Sequence, residues 1–360
     1  MQISIGISVK GSRTSGSAPV NTVSPVISGT TTIGSVLTST FGDWLNSPTS
    51  YSFQWNRNGS PIPSATGFNY TLVQADSASA ITCVVTATNA SGSTPATSNI
   101  ITAQTSDTDA QAFITATGIT NTTQKNAIND LVIGLKTDSL WTKMLAVYPF
   151  VGGTQETCKF NLKNPLNTDA AFRLSFQGGW TFSSNGIQPN GTNTYADTFL
   201  VPSTSLTLGS VNGSSFSVYS KTNNLESGSL FGTRNLAFGS NLNLTLRNGS
   251  NSVIWHNTNA GIVVSPNPLS SSINLITSRI DTLNNITAQN GATNTQASPE
   301  VELSAFSLYL SAQNQFGTPV TFSTRQLAFA HIGTGLTQAQ CTQLYNRIQT
   351  FQTTLDRANI

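Results

Sequence analysis

The clearest fold signal in the sequence is Tyr51-Ser-Phe-Gln-Trp55, followed after a turn-rich segment by Ile81-Thr-Cys83. Because apolar side chains recur at every second position, the three aromatic rings of the first stretch lie on one face of a β-strand. Similar short runs fill residues 19–104, separated by Gly, Pro and Asn-Gly turns at intervals of about eight to twelve residues. This pattern predicts a β-sandwich for residues 19–104.

A second and larger domain, residues 105–360, begins with two helical patterns and then returns to strands. About ten apolar runs lie between residues 145 and 330, a density that predicts a two-sheet jelly roll. Asn-Gly pairs, the strongest short signal for a hairpin, separate several of them. These pairs begin at Asn190, Asn212, Asn248 and Asn290, and a further pair begins at Asn58 in the first domain.

The chain ends in a helix that Thr337 and Gln340 start as a capping box. Its apolar residues recur at helical spacing and predict a stripe that docks on the sandwich. The stripe consists of Cys341, Leu344, Tyr345, Ile348, Phe351 and Leu355. The fold class is therefore mostly β, with a few flanking helices around the larger sandwich.

Charge and cysteine content exclude several classes of protein. The 360 residues include 16 Lys+Arg and 14 Asp+Glu, so a net charge of +2 offers no clustered basic surface for nucleic acid. No apolar run reaches the length of about 18 residues that membrane insertion by a helix requires. Cys83, Cys158 and Cys341 are too few and too scattered for a disulfide framework, and we expect them to be free, buried thiols.

The first 18 residues form a separate arm and linker. Ile3, Ile5, Ile7 and Val9 alternate with polar residues or Gly, so they predict a strand with one apolar face. With no basic start and no continuous apolar run, this segment is not expected to be a signal peptide. A lone strand cannot bury its face by itself. It therefore pairs either with a sheet of its own chain or, as an assembly arm, with a neighbouring subunit.

The first domain resembles the immunoglobulin-like (Ig-like) fold, which places a core tryptophan on the third strand and a cysteine on the sixth, here Trp55 and Cys83. The cysteine of the second strand is absent, since Thr38 or Ser39 stands near its position, and Ile81 stands where a tyrosine corner would place Tyr. Packing around Trp55 and Cys83 is therefore expected to hold this domain together. Asp76, in the loop before the sixth strand, is expected to be a turn or cap residue.

Two narrower resemblances concern function. Residues 18–93 resemble the Ig-like modules of tailed-bacteriophage virion proteins, and residues 107–153 with 160–174 also look like a tailed-phage structural protein. The second domain is similar to concanavalin A-like lectin (laminin-G-like) sandwiches. That likeness is carried by residues 186–197, 215–220, 308–314 and 322–333, with the Leu-Thr helix start that follows.

These resemblances imply a non-enzymatic structural, decoration or fibre protein on the surface of a virion assembled in the host cytoplasm. The implied partners are other virion proteins and further copies of the chain, with a host-surface polysaccharide as an additional ligand. The alternative function is a host-glycan-binding receptor protein of the tail or head. A glycoside hydrolase ranks third.

The candidate carbohydrate-binding residues are Trp180, Tyr195 and Asp197. Aromatic rings stack on the apolar faces of sugars, while carboxylates and amides bond their hydroxyls. Trp180 follows Gly178-Gly179 in a loop-like stretch, and its alternative role is core packing. Tyr195 and Asp197 share one face of a predicted strand.

Catalytic and metal sites have little support in the sequence. His256 and His331 lie in apolar strand runs and are interpreted as core or edge residues. The nearest carboxylate pair for glycoside hydrolysis is Glu300-Val-Glu302, which lacks a third acid nearby. Asp169 with Asp197 is a weak pattern for calcium. We therefore expect no enzymatic activity, no cofactor and no metal.

Overall fold

A computed structural model describes residues 16–206, 213–235, 241–246, 253–257, 262–265, 273–281, 283–297 and 303–358. The chain divides into two compact units, Met1–Ser106 and Asp107–Ile360. The described residues form 27 strands and five α-helices, so the fold is mostly β, as predicted. None of these helices combines the length and apolar character needed to cross a bilayer.

The first unit is a β-sandwich of ten short strands. One sheet has the order β2-β3-β7, and the facing sheet has the order β10-β8-β5-β6 with β9 also paired to β8. A separate two-stranded ribbon joins β1 to β4. The strands are β1 (Val20–Val23), β2 (Ile27–Gly29), β3 (Val36–Ser39), β4 (Asp43–Leu45), β5 (Ser50–Arg57), β6 (Ser60–Pro61), β7 (Asn69–Thr71), β8 (Ala80–Asn89), β9 (Gly92–Thr97) and β10 (Ile101–Thr102).

Trp55 is the centre of this unit's core. Its ring is fully buried, stacks on Tyr70 at a centroid distance of 5.5 Å and donates its Nε1–H to the carbonyl of Gly67 at 2.8 Å. Cys83 pairs with Trp55 across β5 and β8 and is a buried free thiol, as are the other two cysteines. The predicted packing without a disulfide is confirmed.

Asp76 ties the loop before β8 to the rest of the sandwich. Its buried carboxylate accepts hydrogen bonds from Arg57 Nε at 2.6 Å, from the Tyr70 hydroxyl at 2.9 Å and from the backbone N–H of Val73 at 2.8 Å. The predicted cap role is therefore confirmed. A buried carboxylate is stable only when such partners replace its hydration.

The second unit begins with α1 (Thr108–Thr117) and α2 (Thr122–Thr137), whose N-caps are Asp107 and Asn121. The next elements are β11 (Met144–Tyr148), α3 (Gln155–Cys158), β12 (Ser175–Gln177), β13 (Thr181–Ser183), β14 (Gly186–Gln188), β15 (Tyr195–Asp197), α4 (Pro202–Ser205), β16 (Ser214–Ser220), β17 (Phe231–Arg234), β18 (Asn241–Thr245) and β19 (Val253–Asn257). The last are β20 (Ile262–Ser265), β21 (Asn274–Arg279), β22 (Asn284–Gln289), β23 (Ala292–Ala297), β24 (Tyr309–Leu310), β25 (Gln313–Gln315), β26 (Thr318–Val320), β27 (Leu327–Gly333) and α5 (Gln338–Thr354).

These strands form two sheets. The helix-side sheet has the order β13-β14-β27-β16-β21-β22-β23, with β11 also paired to β27. The outer sheet has the order β12-β15-β24-β17-β18-β19-β20, with β25 paired to β17 and β26 to β25. Nearly all pairings among the described strands are antiparallel, the exception being β17 with β25. The predicted two-sheet sandwich is therefore present.

Two hydrophobic cores lie on opposite faces of the helix-side sheet. One core, which includes Phe216 and Leu275 from this sheet and Phe231 and Leu310 from the outer sheet, fills the space between the sheets. The other core packs α1, α2 and α5 on the opposite face of the helix-side sheet. The stripe of α5 docks there as predicted: Cys341, Leu344, Ile348 and Phe351 are buried, and Tyr345 and Leu355 are partly buried.

The Asn-Gly hairpin predictions have mixed outcomes. Asn58-Gly59 joins β5 to β6, Asn290-Gly291 joins β22 to β23, and all four residues have positive φ, as a tight hairpin turn requires. Asn190-Gly191 was wrongly predicted to be a hairpin. It lies between β14 and β15, which belong to different sheets, and the Asn190 carboxamide bonds within its own loop. The pairs at 212 and 248 involve residues outside the described ranges.

His331 is a core residue of the helix-side sheet, as predicted. Ser215 Oγ donates to the carbonyl of Thr334 at 2.7 Å, so it accepts the Nε2–H of His331 at 3.1 Å. Nδ1 is then unprotonated and accepts from Ser217 Oγ at 2.9 Å. Burial lowers the pKa of His331 to about 3, because a charged imidazolium loses its hydration there. The other histidine, His256, lies in β19, and its side chain is outside the described part of the structure.

This burial makes the second unit sensitive to acid. Between pH 6.5 and about 3 the unfolded chain protonates His331 and the folded chain does not. The neutral imidazole of His331 therefore makes its full contribution to the free energy of unfolding above pH 6.5. Below pH 6.5 the free energy of unfolding falls by about 1.4 kcal/mol for each pH unit. We expect His331→Gln to flatten the acid limb of the unfolding free energy, measured by urea titration at several pH values. An unchanged slope would contradict a buried neutral imidazole.

Candidate functional site

Three neighbouring strands at one end of the outer sheet carry the candidate site. In this sheet β15 lies between β12 and β24, so Asp197 lies opposite Ser175 on one side and Tyr309 on the other. Ala196 and Leu310 point into the core between the sheets. Because side chains alternate along a strand, Tyr195, Asp197 and Tyr309 share the opposite, outward face.

The two tyrosines form a stacked pair on that face. Their ring centroids are 4.5 Å apart and their planes differ by 25°. Tyr309 is only 7% exposed, whereas Tyr195 is half-buried and therefore presents part of its ring to solvent. Burial, followed by the negative charge of Asp197, raises the pKa of Tyr309 to about 12. Tyr309 thus supports Tyr195 and remains a neutral phenol at physiological pH.

Asp197 is held in one orientation beside the tyrosines. Its Oδ1 accepts from the backbone N–H of Phe199 at 2.8 Å, and its Oδ2 accepts from Ser307 Oγ at 3.1 Å. Asn314 Nδ2 donates to the carbonyl of Ser307 at 2.9 Å and fixes that residue in turn. Burial raises the pKa of Asp197, and the nearby negative charge of Asp169 acts in the same direction. The half-buried carboxylate retains lone pairs that can accept further hydrogen bonds.

Trp180 lies apart from this outward face. It occupies the turn that carries the chain from β12 in the outer sheet to β13 in the helix-side sheet. Its ring packs edge-on against the ring of Phe176, with 5.2 Å between the centroids, and its centroid lies 6.4 Å from that of Phe182. The ring also contacts the core between the sheets, and its Nε1–H donates to the carbonyl of Gln177. The structure therefore brings Tyr195 and Asp197 together and places Trp180 at the edge of the core.

Sequence reasoning did not find Tyr309, Ser307 and Asn314. They follow Asp197 by more than 100 residues, and only the pairing of β15 with β24 brings them to it. The available signal was the alternation in Leu308-Tyr-Leu310, which puts the tyrosine on the face opposite two buried leucines. That signal gives the face of the strand but not its partner.

The other acidic candidates have structural partners or lie outside the description. Asp169 forms a salt bridge with Arg173 at 2.7 Å. The assembly-arm residues Ile3, Ile5, Ile7 and Val9 and the acidic pair Glu300 and Glu302 lie outside the described residues. Within the described ranges, no three His, Cys, Asp or Glu side chains cluster in a way that could hold a metal ion.

Comparison with known proteins gives only distant likenesses. No protein-family model matches the chain, and no curated protein matches it. Domain 4 of AbnA, a GH43 extracellular arabinanase from Geobacillus stearothermophilus solved with arabinotriose, is similar over 56% of this chain and 98% of that chain, at 16% identity and a TM-score of 0.36. The botulinum neurotoxin serotype D binding domain is similar over 58% and 52%, at 10% identity and a TM-score of 0.36.

The NanB sialidase from Streptococcus pneumoniae is similar over 47% of this chain and 27% of that chain, at 10% identity and a TM-score of 0.32. Scores this far below 0.5 describe a general likeness between strand-rich domains. The sandwich architecture of this chain therefore rests on its own strand pairing.

The different surroundings of Trp180 and Tyr195 predict different effects of truncation. Trp180→Ala removes two ring contacts and a hydrogen bond at the edge of the core, so we expect it to lower the unfolding free energy by about 2 kcal/mol. Tyr195→Ala removes one partly exposed ring and should cost about half as much or less. Urea unfolding of the two variants measures both values. A Tyr195 loss equal to that of Trp180 would contradict this placement.

Proposed function

We propose that the second unit is a non-enzymatic carbohydrate-binding sandwich and that it holds a neutral sugar on the outward face of β12, β15 and β24. The observation that carries the proposal is the stacked pair of Tyr195 and Tyr309 beside the oriented carboxylate of Asp197. A partly exposed ring offers its face to the C–H face of a sugar. A carboxylate with free lone pairs accepts hydrogen bonds from sugar hydroxyls and binds them more strongly than a neutral acceptor does.

The charges around the site favour a neutral ligand. Asp197 has no salt bridge among the described residues, and the positive charge of Arg173 is matched by Asp169. An acidic sugar would place its carboxylate near Asp197, and two like charges at close range repel. Neutral hexose or pentose oligosaccharides meet no such penalty.

Binding to defined oligosaccharides tests this proposal. We expect the full-length chain to bind at least one neutral oligosaccharide on a glycan array and not its uronic acid or sialylated counterparts. Tyr195→Ala should weaken that binding at least about tenfold in isothermal titration calorimetry, because it removes the stacking surface. Phe68→Ala, which truncates an exposed aromatic ring of the first unit, is the matched control and should bind normally.

The pKa of Asp197 supplies a second readout. Protonation removes the charge that accepts the sugar hydroxyls, so affinity should fall as the pH drops through the raised pKa of this group. Asp197→Asn should bind weakly at every pH and lose this pH dependence. Failure of the wild-type chain to bind any neutral oligosaccharide, or a wild-type response to pH in the Asn variant, contradicts the proposal.

A second candidate function is structural. We propose, from the resemblance to tailed-phage virion proteins, that the chain is a virion component attached through its first unit. The supporting observation is the distribution of exposed large hydrophobic side chains: ten of the thirteen in the described residues belong to the first unit. Surfaces of this kind are typical of contacts with other proteins.

Electron microscopy of purified phage particles carrying a gold-labelled chain tests the structural role. We expect regular labelling at a fixed copy number for the full-length chain and none for residues 107–360 alone. The same shorter chain should still bind sugar, so the two proposed functions can fail independently. Particles with no label, or equal labelling by both chains, would rule out attachment through the first unit.

A further inference from the structure

Four aromatic side chains of the first unit form a partly exposed surface, here called the aromatic ridge: Phe41, Trp44, Tyr51 and Phe53. The Phe41 ring lies 5.0 Å from Tyr51 and 5.3 Å from Phe53, and Trp44 lies 6.5 Å from Tyr51. Trp44 and Phe53 pack against the core, but Phe41 is 49% exposed and Tyr51 is 37% exposed. An aromatic surface beside the buried core therefore reaches solvent along this ridge.

The ridge adjoins a strand with a free edge. In the ribbon, β4 pairs with β1 on one side, and among the described residues no strand pairs with its other side. Trp44, at the middle of β4, turns its ring toward Tyr51. A strand added to β4 would therefore satisfy backbone groups at the edge and could cover the ridge with every second side chain.

The N-terminal segment enters the structure beside this ribbon. Asn89 Nδ2 donates to the carbonyl of Ser17 at 2.9 Å, and Asn46 Nδ2, directly after β4, donates to the carbonyl of Ala18 at 2.8 Å. The eight residue steps from Val9 to Ser17 can span about 26 Å when extended. The free edge of a two-stranded ribbon is only about 10 Å from its other edge, so the segment is long enough to reach it.

The charges of the segment and of the first unit are complementary. Residues 16–106 contain three charged side chains, of which Arg57 and Asp76 pair at 2.6 Å. The third, Asp43, is exposed on β4. Residues 1–15 carry only Lys10 and Arg13, both positive. Pairing the segment with β4 brings these opposite charges to the same edge.

We infer that residues 3–9 add as a strand to the free edge of β4 in the same chain. Ile3, Ile5, Ile7 and Val9 then cover the aromatic ridge, and Ser4, Gly6 and Ser8 face solvent. The segment is tethered to the ribbon at Ser17 and Ala18, so its local concentration there exceeds that of any other copy. The interaction completes the first unit and is independent of sugar binding.

Hydrogen–deuterium exchange of the full-length chain and of a chain lacking residues 2–10 tests the inference. We expect the amides of Asp43–Leu45 to exchange about tenfold faster without the segment, because their edge partners are lost. The amides of β8, at the centre of the opposite sheet, serve as the internal reference and should change little. A synthetic peptide of residues 1–15 added to the shortened chain should restore protection at β4.

Point variants keep the test decisive if the shortened chain unfolds. Ile5→Ser with Ile7→Ser should speed exchange at β4, whereas the matched pair Ser4→Ala with Ser8→Ala should not. Phe41→Ser should accelerate β4 exchange in the full-length chain and have no further effect in the Ile5→Ser, Ile7→Ser background, because the two changes break one contact.

Equal β4 exchange in all these chains overturns the inference. A change from oligomer to monomer when residues 2–10 are deleted, measured by light scattering, shows pairing with another copy and overturns pairing within the chain.

Discussion

The second unit is organised around two central strands of its helix-side sheet, β16 and β27, which are buried on both faces. Every residue of β16 and β27 is buried, with one face in the core between the sheets and the other under the helices. Such strands need apolar side chains in both directions or polar ones with buried partners. Ser215, Ser217 and His331 meet the second condition, since each is hydrogen-bonded within the layer beneath the helices.

This burial leaves the outward face of the outer sheet for the proposed sugar site. Helices α1, α2 and α5 cover one face of the helix-side sheet, and the outer sheet covers the other. On the outward face of the outer sheet, at β15 and β24, a half-buried ring and a half-buried carboxylate lie side by side. The aromatic residues that point inward at the same strands, including Phe176, close the edge of the sandwich with Trp180. Alternation along one short strand thus separates the proposed binding face from the core.

The sequence predicted the helices and the faces of the strands, because the interactions that set them join residues close together in the chain. The helix cap Thr337 bonds a backbone group three residues away, and the stripe of α5 follows from helical spacing alone. The face of Tyr195 and Asp197 followed in the same way from alternation. The pairing of β15 with β24 could not be predicted, since it joins residues more than 100 positions apart. The same lack of non-local information made Asn190-Gly191 look like a hairpin and left the position of Trp180 open.

The small number of charged side chains affects both the internal contacts of the protein and its two proposed binding surfaces. Seven described carboxylates form salt bridges, and several of these ties hold distant segments together, as Arg325 does with Glu226 and Arg347 with Asp138. The buried guanidinium of Arg357 likewise bonds the carbonyls of Pro149, Phe150 and Ala328 and anchors the end of α5. Asp197 and Asp43 form no salt bridge within the described residues, and each lies on one of the two surfaces proposed to bind. Nearly half of the few charged side chains are used in contacts within the chain. The proposed surfaces therefore consist of rings, hydroxyls, amides and single carboxylates, and these groups suit uncharged sugars and apolar strands better than polyanions.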